Sequence, residues 1–217
     1  MSGARPVVIP TPLDAEGSVY DQAIAFSPDG TQLVFSRAPF DNWEGTTAPP
    51  VLMAMSLDGG DPVPLAQSGI PGASLVPSDV QQAEWSPDGR WVAFVENETL
   101  EVAPTTGGAP RVLATYFSPR DSVRDLFSWS PNSKLLAYES CCSKQLTRQL
   151  ITVRPDGTHL TDLLKDHRLA YDRSWRSGDA PQWSPDSSRL AFVAHRGHHR
   201  TQVWTIRADG RDLTRLG

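Results

Sequence analysis

Four times along this chain an aromatic residue is followed by Ser-Pro, then Asp or Asn, then Gly or Ser, and then by a short apolar run. The copies are Phe26-Ser27-Pro28-Asp29-Gly30, Trp85-Ser86-Pro87-Asp88-Gly89, Trp129-Ser130-Pro131-Asn132-Ser133 and Trp183-Ser184-Pro185-Asp186-Ser187. A motif that returns about every 50 residues marks a repeat architecture, in which one supersecondary unit stacks on the next. No such unit can bury its apolar face alone, so the repeat constrains the fold more than any single residue does. It also moves the functional expectation toward a presented binding surface and away from one enclosed reaction centre.

Aligned on Ser-Pro, the copies agree well beyond the motif. Leu33, Val92, Leu136 and Leu190 share one column; Val34, Ala93, Ala137 and Ala191 share the next; Phe35, Phe94, Tyr138 and Phe192 follow. A second landmark comes later in each copy, at Asp58-Gly59, Thr106-Gly107, Asp156-Gly157 and Asp209-Gly210. Beyond each of those glycines stands a leucine, at Leu65, Leu113, Leu163 and Leu216. Short β-branched and aromatic runs separated by such turns predict antiparallel strands joined as hairpins. Each unit then supplies four strands, running in the second over 82–86, 91–96, 99–105 and 109–116. No window sustains the apolar i, i+3, i+4, i+7 pattern of a helix. The expected class is all-β, one domain or fragment of four four-stranded antiparallel units, over about 20–68, 80–116, 125–166 and 179–217. Residues 1–19 add an extra N-terminal strand segment, centred on Pro6-Val7-Val8-Ile9-Pro10.

The motif has a local physical reading. Proline presets φ for the first corner of a turn, Asp or Asn bonds nearby backbone, and Gly takes the positive φ that other residues resist. Ser27, Ser86, Ser130 and Ser184 are therefore read as turn residues, together with Pro28, Pro87, Pro131 and Pro185 and with Asp29, Asp88, Asn132 and Asp186. Nucleophiles do not come in four equivalent copies on hairpins. Gly30 and Gly89 fit the positive-φ position; Ser133 and Ser187 replace them in the last two copies, which predicts turns that are more strained or of another type.

The pattern aromatic-Ser-Pro-Asp-Gly-x-x-Leu-Ala-Phe, then Asp-Gly, then Leu, resembles the WD-repeat-like β-propeller blades of the TolB-like group. The same blades occur in the propeller domains of prolyl-oligopeptidase-type peptidases, and the resemblance covers about residues 20–217. It implies a β-propeller; four units plus the spare N-terminal strand read as an incomplete arc of a larger ring, six-bladed by the resemblance and open to self-association through its edges, with a closed four-bladed ring carrying an N-terminal tail as the alternative. It further implies a non-catalytic protein-binding or scaffolding module at the cell envelope. The alternative it implies is the substrate-gating propeller of a prolyl-oligopeptidase-type serine peptidase whose catalytic domain lies outside this chain. A TolB-like protein would be periplasmic or otherwise extracytoplasmic; the start of the chain shows no apolar signal segment, so the compartment stays open.

Composition narrows the rest. Nineteen prolines and sixteen glycines among 217 residues suit a turn-rich β protein. No run of apolar residues is long enough for a membrane span, and a net charge of −5 gives no reason to expect nucleic acid. Cys141 and Cys142 are adjacent, with no metal-site spacing, and read as an ordinary thiol pair. His195, His198 and His199 could ligate a metal, but Arg196 and Arg200 interleave with them and repel a cation, so neither metal nor cofactor is expected. No Gly-x-Ser-x-Gly elbow, phosphate loop or His-Glu-x-x-His occurs, and no catalytic residue is assigned.

What varies between copies is the connection between second and third strands, together with the links at 67–81, 117–125 and 167–179. In a four-stranded antiparallel unit these share one end, opposite the short repeated turns, and variable loops on a rigid scaffold are where binding residues concentrate. Those of the first two units carry Asp41, Glu44, Asp79 and Glu98 against Arg37; those of the last two carry Lys144, Arg148, Arg168, Arg173, Arg176, Arg196 and Arg200 against Asp172 and Asp179. Trp43, Tyr171 and Trp175 interleave. Arginine with Trp and Tyr is the composition of interface anchors. The candidate binding set is Trp43, Tyr171, Arg173, Trp175, Arg176, His195, Arg196, His198, His199 and Arg200, facing an acidic protein partner.

Overall fold

The computed structural model describes residues 18–41, 45–46, 51–67, 82–96, 99–115, 127–140, 149–167, 180–194 and 202–217. Among them every regular element is a strand. In chain order these are β1 (Ser18–Phe26), β2 (Gln32–Asp41), β3 (Gly45–Thr46), β4 (Val51–Ser56) and β5 (Val63–Gln67); β6 (Gln82–Trp85), β7 (Trp91–Glu96), β8 (Thr99–Pro104) and β9 (Arg111–Thr115); β10 (Phe127–Trp129), β11 (Leu136–Ser140), β12 (Gln149–Val153) and β13 (Thr161–Asp162); and β14 (Gln182–Trp183), β15 (Arg189–Ala194), β16 (Gln202–Arg207) and β17 (Thr214–Leu216).

They form four sheets, each in sequence order: β1-β2-β4-β5, β6-β7-β8-β9, β10-β11-β12-β13 and β14-β15-β16-β17. This is the all-β, four-bladed arrangement expected from the repeat columns. The first sheet departs in one respect. β2 runs for ten residues, and its far end pairs with the short β3, Asp41 opposite Gly45, before the chain continues into β4.

The chain divides into two compact units, Met1–Trp85 with Gly89–Asn97 and Ala103–Pro110, and Ser86–Asp88 with Glu98–Val102 and Arg111–Gly217. In the first, β1 and β6 lie side by side. Val34, Leu52, Ala54 and Leu65 of the first sheet share a core with Ala83, Trp85, Val92, Phe94 and Ala103 of the second. In the other, β10 lies beside β14. There Ala137, Leu150, Leu163 and Leu164 share a core with Leu190, Phe192, Ala194, Trp204 and Ile206, and Trp183 packs at its margin. The repeated columns are thus two sides of one recurring joint. The Leu column of one sheet receives the aromatic, Leu or Val, and Phe columns of the next. Burial of each such side chain is worth roughly 2 kcal/mol, which is why the period of the repeat governs the fold.

Candidate functional site

Each sheet has two ends of different character. At one end lie the repeated turns. In the first copy the Ser27 hydroxyl donates to Asp29 Oδ1 at 2.6 Å and accepts from Gln32 N–H at 2.9 Å. Asp29 Oδ1 also accepts from the Thr31 N–H and the Thr31 hydroxyl, at 3.0 and 2.9 Å. The backbone closes the same turn through Gly30 N–H to Ser27 O and Ser27 N–H to Gln32 O, both 2.9 Å. The fourth copy repeats it: Ser184 donates to Asp186 Oδ1 at 2.5 Å, and Arg189 N–H donates to Ser184 Oγ at 2.9 Å.

Where the acceptor is a carboxylate, the serine bond measures 2.5–2.6 Å; where it is the amide of Asn132, the Ser130 bond is 2.9 Å. That is the shortening expected of a charge-assisted bond. The donors hold Asp186 down to about 2, led by the Ser184 hydroxyl and then Ser188. Asp29 is lowered for the same reason, led by Ser27 and then Thr31. A serine committed to a carboxylate that has no histidine between them is a turn clamp, not an activated nucleophile.

Ser133 and Ser187 keep the turn type of the glycines they replace. Their φ values are 59° and 60°, against 71° at Gly30 and Gly89. The strain expected of a side chain in that region is present, and the structure shows what opposes it. Asn132 N–H donates to Ser187 Oγ at 3.1 Å, and Asp88 N–H donates to Ser133 Oγ at 2.9 Å. Each buried hydroxyl therefore caps the equivalent turn of the preceding sheet. Trp183 adds a parallel tie, its indole N–H donating to Ser128 O at 3.3 Å, while the Ser128 hydroxyl bonds Pro181 O. In the first unit the matching indole N–H of Trp85 is buried without a hydrogen-bond partner.

The other end of each sheet carries the variable connections. In the fourth sheet Gln182 pairs with Ala191 and Ala194 with Gln202. The segment 168–179 therefore enters β14 at the same end where β15 leaves for 195–201, opposite the Ser-Pro turn. Tyr171, Arg173, Trp175 and Arg176 belong to the first segment, and His195, Arg196, His198, His199 and Arg200 to the second; all lie outside the described residues, as do Trp43, Cys141 and Cys142.

The sheets also bury two acids that sequence reading did not single out. Glu101 in β8 and Glu139 in β11 are both almost fully covered. Burial pushes the Glu101 carboxyl up, against the bond it accepts from Thr99 Oγ1 at 2.9 Å. The signal in sequence would have been a lone Glu inside an otherwise apolar strand.

No protein-family model and no curated protein sequence matches the chain. Solved structures do. A protein from Agrobacterium tumefaciens assigned as TolB aligns over 91% of this chain and 62% of its own, at 22% identity and a TM-score of 0.50. The dipeptidyl peptidase 4 of Porphyromonas gingivalis aligns over 96% of this chain and 27% of its own, at 16% identity and TM-score 0.63. The β-propeller domain of the Trilobed protease from Pyrococcus furiosus, which has an open velcro topology, aligns over 93% and 57%, at 11% identity and TM-score 0.55. The chain thus spans less than two thirds of each of these proteins. With four sheets of repeated blade design, it has a β-propeller fold that resembles the propellers of TolB and of prolyl-peptidase-type enzymes.

Proposed function

We propose that the chain is a non-catalytic, TolB-like binding or scaffolding propeller that engages an acidic protein partner through its variable loops. The observation that carries this reading is the division of labour within the fourth sheet. Its turn end is consumed by internal hydrogen bonds, whereas at the opposite end β14 begins just after Arg173, Trp175 and Arg176 in sequence and β15 ends just before Arg196 and Arg200. In a chain of net charge −5 this local positive excess does not follow from overall composition. Like-signed exposed charges steer association and set register, and salt weakens them. Trp175 and Tyr171 contribute apolar area that charge alone lacks.

The test is titration with a fluorescent poly-glutamate peptide across a salt series. The reading expects Arg173→Glu/Arg176→Glu to weaken binding at least ten-fold and flatten the salt dependence, while Asp41→Lys/Glu44→Lys does neither. Binding unchanged by the arginine reversal would reduce the basic loops to a solvated rim. A second reading, the gating propeller of a peptidase, draws on the likeness to the two protease propellers. Restored hydrolysis of prolyl substrates when the chain is joined to an α/β-hydrolase partner would favour it.

A further inference from the structure

We propose that the turn joining β4 and β5 is a site of spontaneous backbone modification, where Asp58 closes onto the Gly59 nitrogen as a succinimide and reopens as isoaspartate, loosening β5. Aspartate followed by glycine is the dipeptide in which this closure is easiest, because glycine puts no side chain beside the attacking nitrogen. The chain has it at Asp29-Gly30, Asp58-Gly59, Asp88-Gly89, Asp156-Gly157 and Asp209-Gly210. By sequence these are equal candidates. The structure separates one from the others.

In the others the carboxylate is already held. Asp29 Oδ1 accepts from the Ser27 hydroxyl at 2.6 Å and from the Thr31 N–H at 3.0 Å. Asp88 Oδ1 accepts from the Ser86 hydroxyl at 2.6 Å. Asp156 Oδ1 accepts from the Thr158 N–H and hydroxyl at 2.8 and 2.6 Å. Asp209 accepts from the Arg211 N–H at 3.1 Å and lies 3.4 Å from Arg207 Nε. Donors to the ionised form hold Asp29, Asp156 and Asp209 low, led by Ser27, Thr158 and Arg211 respectively. Ring closure instead uses the neutral carboxyl, from which water can leave. The attacking nitrogens are held too: the N–H groups of Gly30, Gly157 and Gly210 each donate to a backbone carbonyl at 2.9 Å. Asp58 is exposed, and its carboxylate accepts no hydrogen bond from any of the described residues. The Gly59 N–H meets Ser56 O only at 3.3 Å, beyond the usual range for such a bond. Gly59 and Gly60 stand at φ 109° and 119° with no atom within 4 Å of where either Cβ would stand, so this turn has room to rotate. Gly157 and Gly210, by contrast, lie against Arg111 and Leu163.

The step balances with water alone. The Gly59 nitrogen bonds to Asp58 Cγ, and the carboxyl hydroxyl leaves as water with the amide hydrogen. Water then adds back to the ring. Attack at Cγ restores aspartate. Attack at the Asp58 backbone carbonyl breaks the original peptide bond, so the main chain runs through Cγ and the α-carboxylate is freed. Isoaspartate thus puts one extra methylene into the link leading to β5, which carries the buried Leu65 into the core shared with β6 and β7.

The test is to age the full chain in warm, mildly acidic buffer and map it with endoproteinase Asp-N, which cuts before aspartate but not before isoaspartate. Resistance at the Leu57-Asp58 bond should accumulate about ten-fold faster than before Asp29, Asp88, Asp156 or Asp209, each of which must first give up one or more hydrogen bonds. In concentrated urea, where the fold no longer distinguishes them, the rates should converge. Hydroxylamine, which cleaves a succinimide, should cut the aged wild type between Asp58 and Gly59 and leave Asp58→Glu intact, since glutamate closes its larger ring far more slowly. Asp58→Asn should reach the same isoaspartate faster, by loss of ammonia. The separated isoform should show faster amide exchange in β5 than the unaged chain. Equal accumulation at any of the other Asp-Gly pairs, rates that do not converge in urea, or unchanged exchange in β5 overturns the proposal.

Discussion

Ser187 offers the sharpest test of how successive sheets are joined. Its left-handed backbone costs a non-glycine residue about 1–2 kcal/mol, and its hydroxyl accepts the Asn132 N–H at 3.1 Å. Ser187→Ala keeps the strained backbone and removes the bond, a loss of about 1 kcal/mol. Ser187→Gly removes the same bond but relieves the strain, at the expense of greater backbone freedom in the unfolded chain, about 0.4–1 kcal/mol. For glycine these contributions nearly cancel. The expected order is therefore wild type close to Ser187→Gly, with Ser187→Ala about 1 kcal/mol below both. In a chain of this length that is a drop in Tm of about 2–4 °C. Urea unfolding followed by tryptophan fluorescence suits the measurement, because Trp204 lies in the core of the same unit and Trp183 at its margin. If Ser187→Gly exceeds wild type by 1 kcal/mol or more, or if Ser187→Ala equals it, the hydroxyl contributes nothing and the strain argument stands alone.

Acidification should weaken the fold. The depressed folded-state value of Asp186, about 2, means its contribution is present above the ordinary aspartate range near pH 4 and is lost as pH falls toward 2. Asp29, Asp156 and Asp209 are lowered as well and should add to the same window; Asp186→Asn, the residue found naturally at Asn132, should flatten part of that slope in acid titrations followed by circular dichroism. Glu101 works with the opposite sign, since burial raises it: its protonated form favours the folded state, and stability declines as pH rises through its folded value. Glu101→Gln should therefore raise the midpoint of urea unfolding at pH 7 and leave it little changed at pH 4, and a lower midpoint at pH 7 would contradict this. Far-ultraviolet circular dichroism should give less than about a fifth helix, well under the third common in globular proteins.

The sequence by itself determined the architecture, because its signals are local and repeated. Ser-Pro-Asp-Gly dictates a turn wherever it stands, and short apolar, β-branched and aromatic runs such as Trp91–Glu96 and Arg189–Ala194 between such turns dictate strands whose neighbours in chain order pair as hairpins. The extra pairing of β3 on β2 was not visible, since Gly45 and Thr46 carry no pattern of their own. The candidate loop residues, from Trp43 to Arg200, were found through charge and variability, which say where a partner could dock without saying how the side chains are arranged. Tertiary structure alone decided the rest. Nothing near Ser187 in the chain indicates that its hydroxyl serves Asn132, 55 residues earlier, or that Ser133 serves Asp88, 45 residues earlier. The same leucine column that is buried at Leu163 is open at Leu216. Both differences depend on which faces of different sheets come into contact, and that is written in no single sheet's sequence.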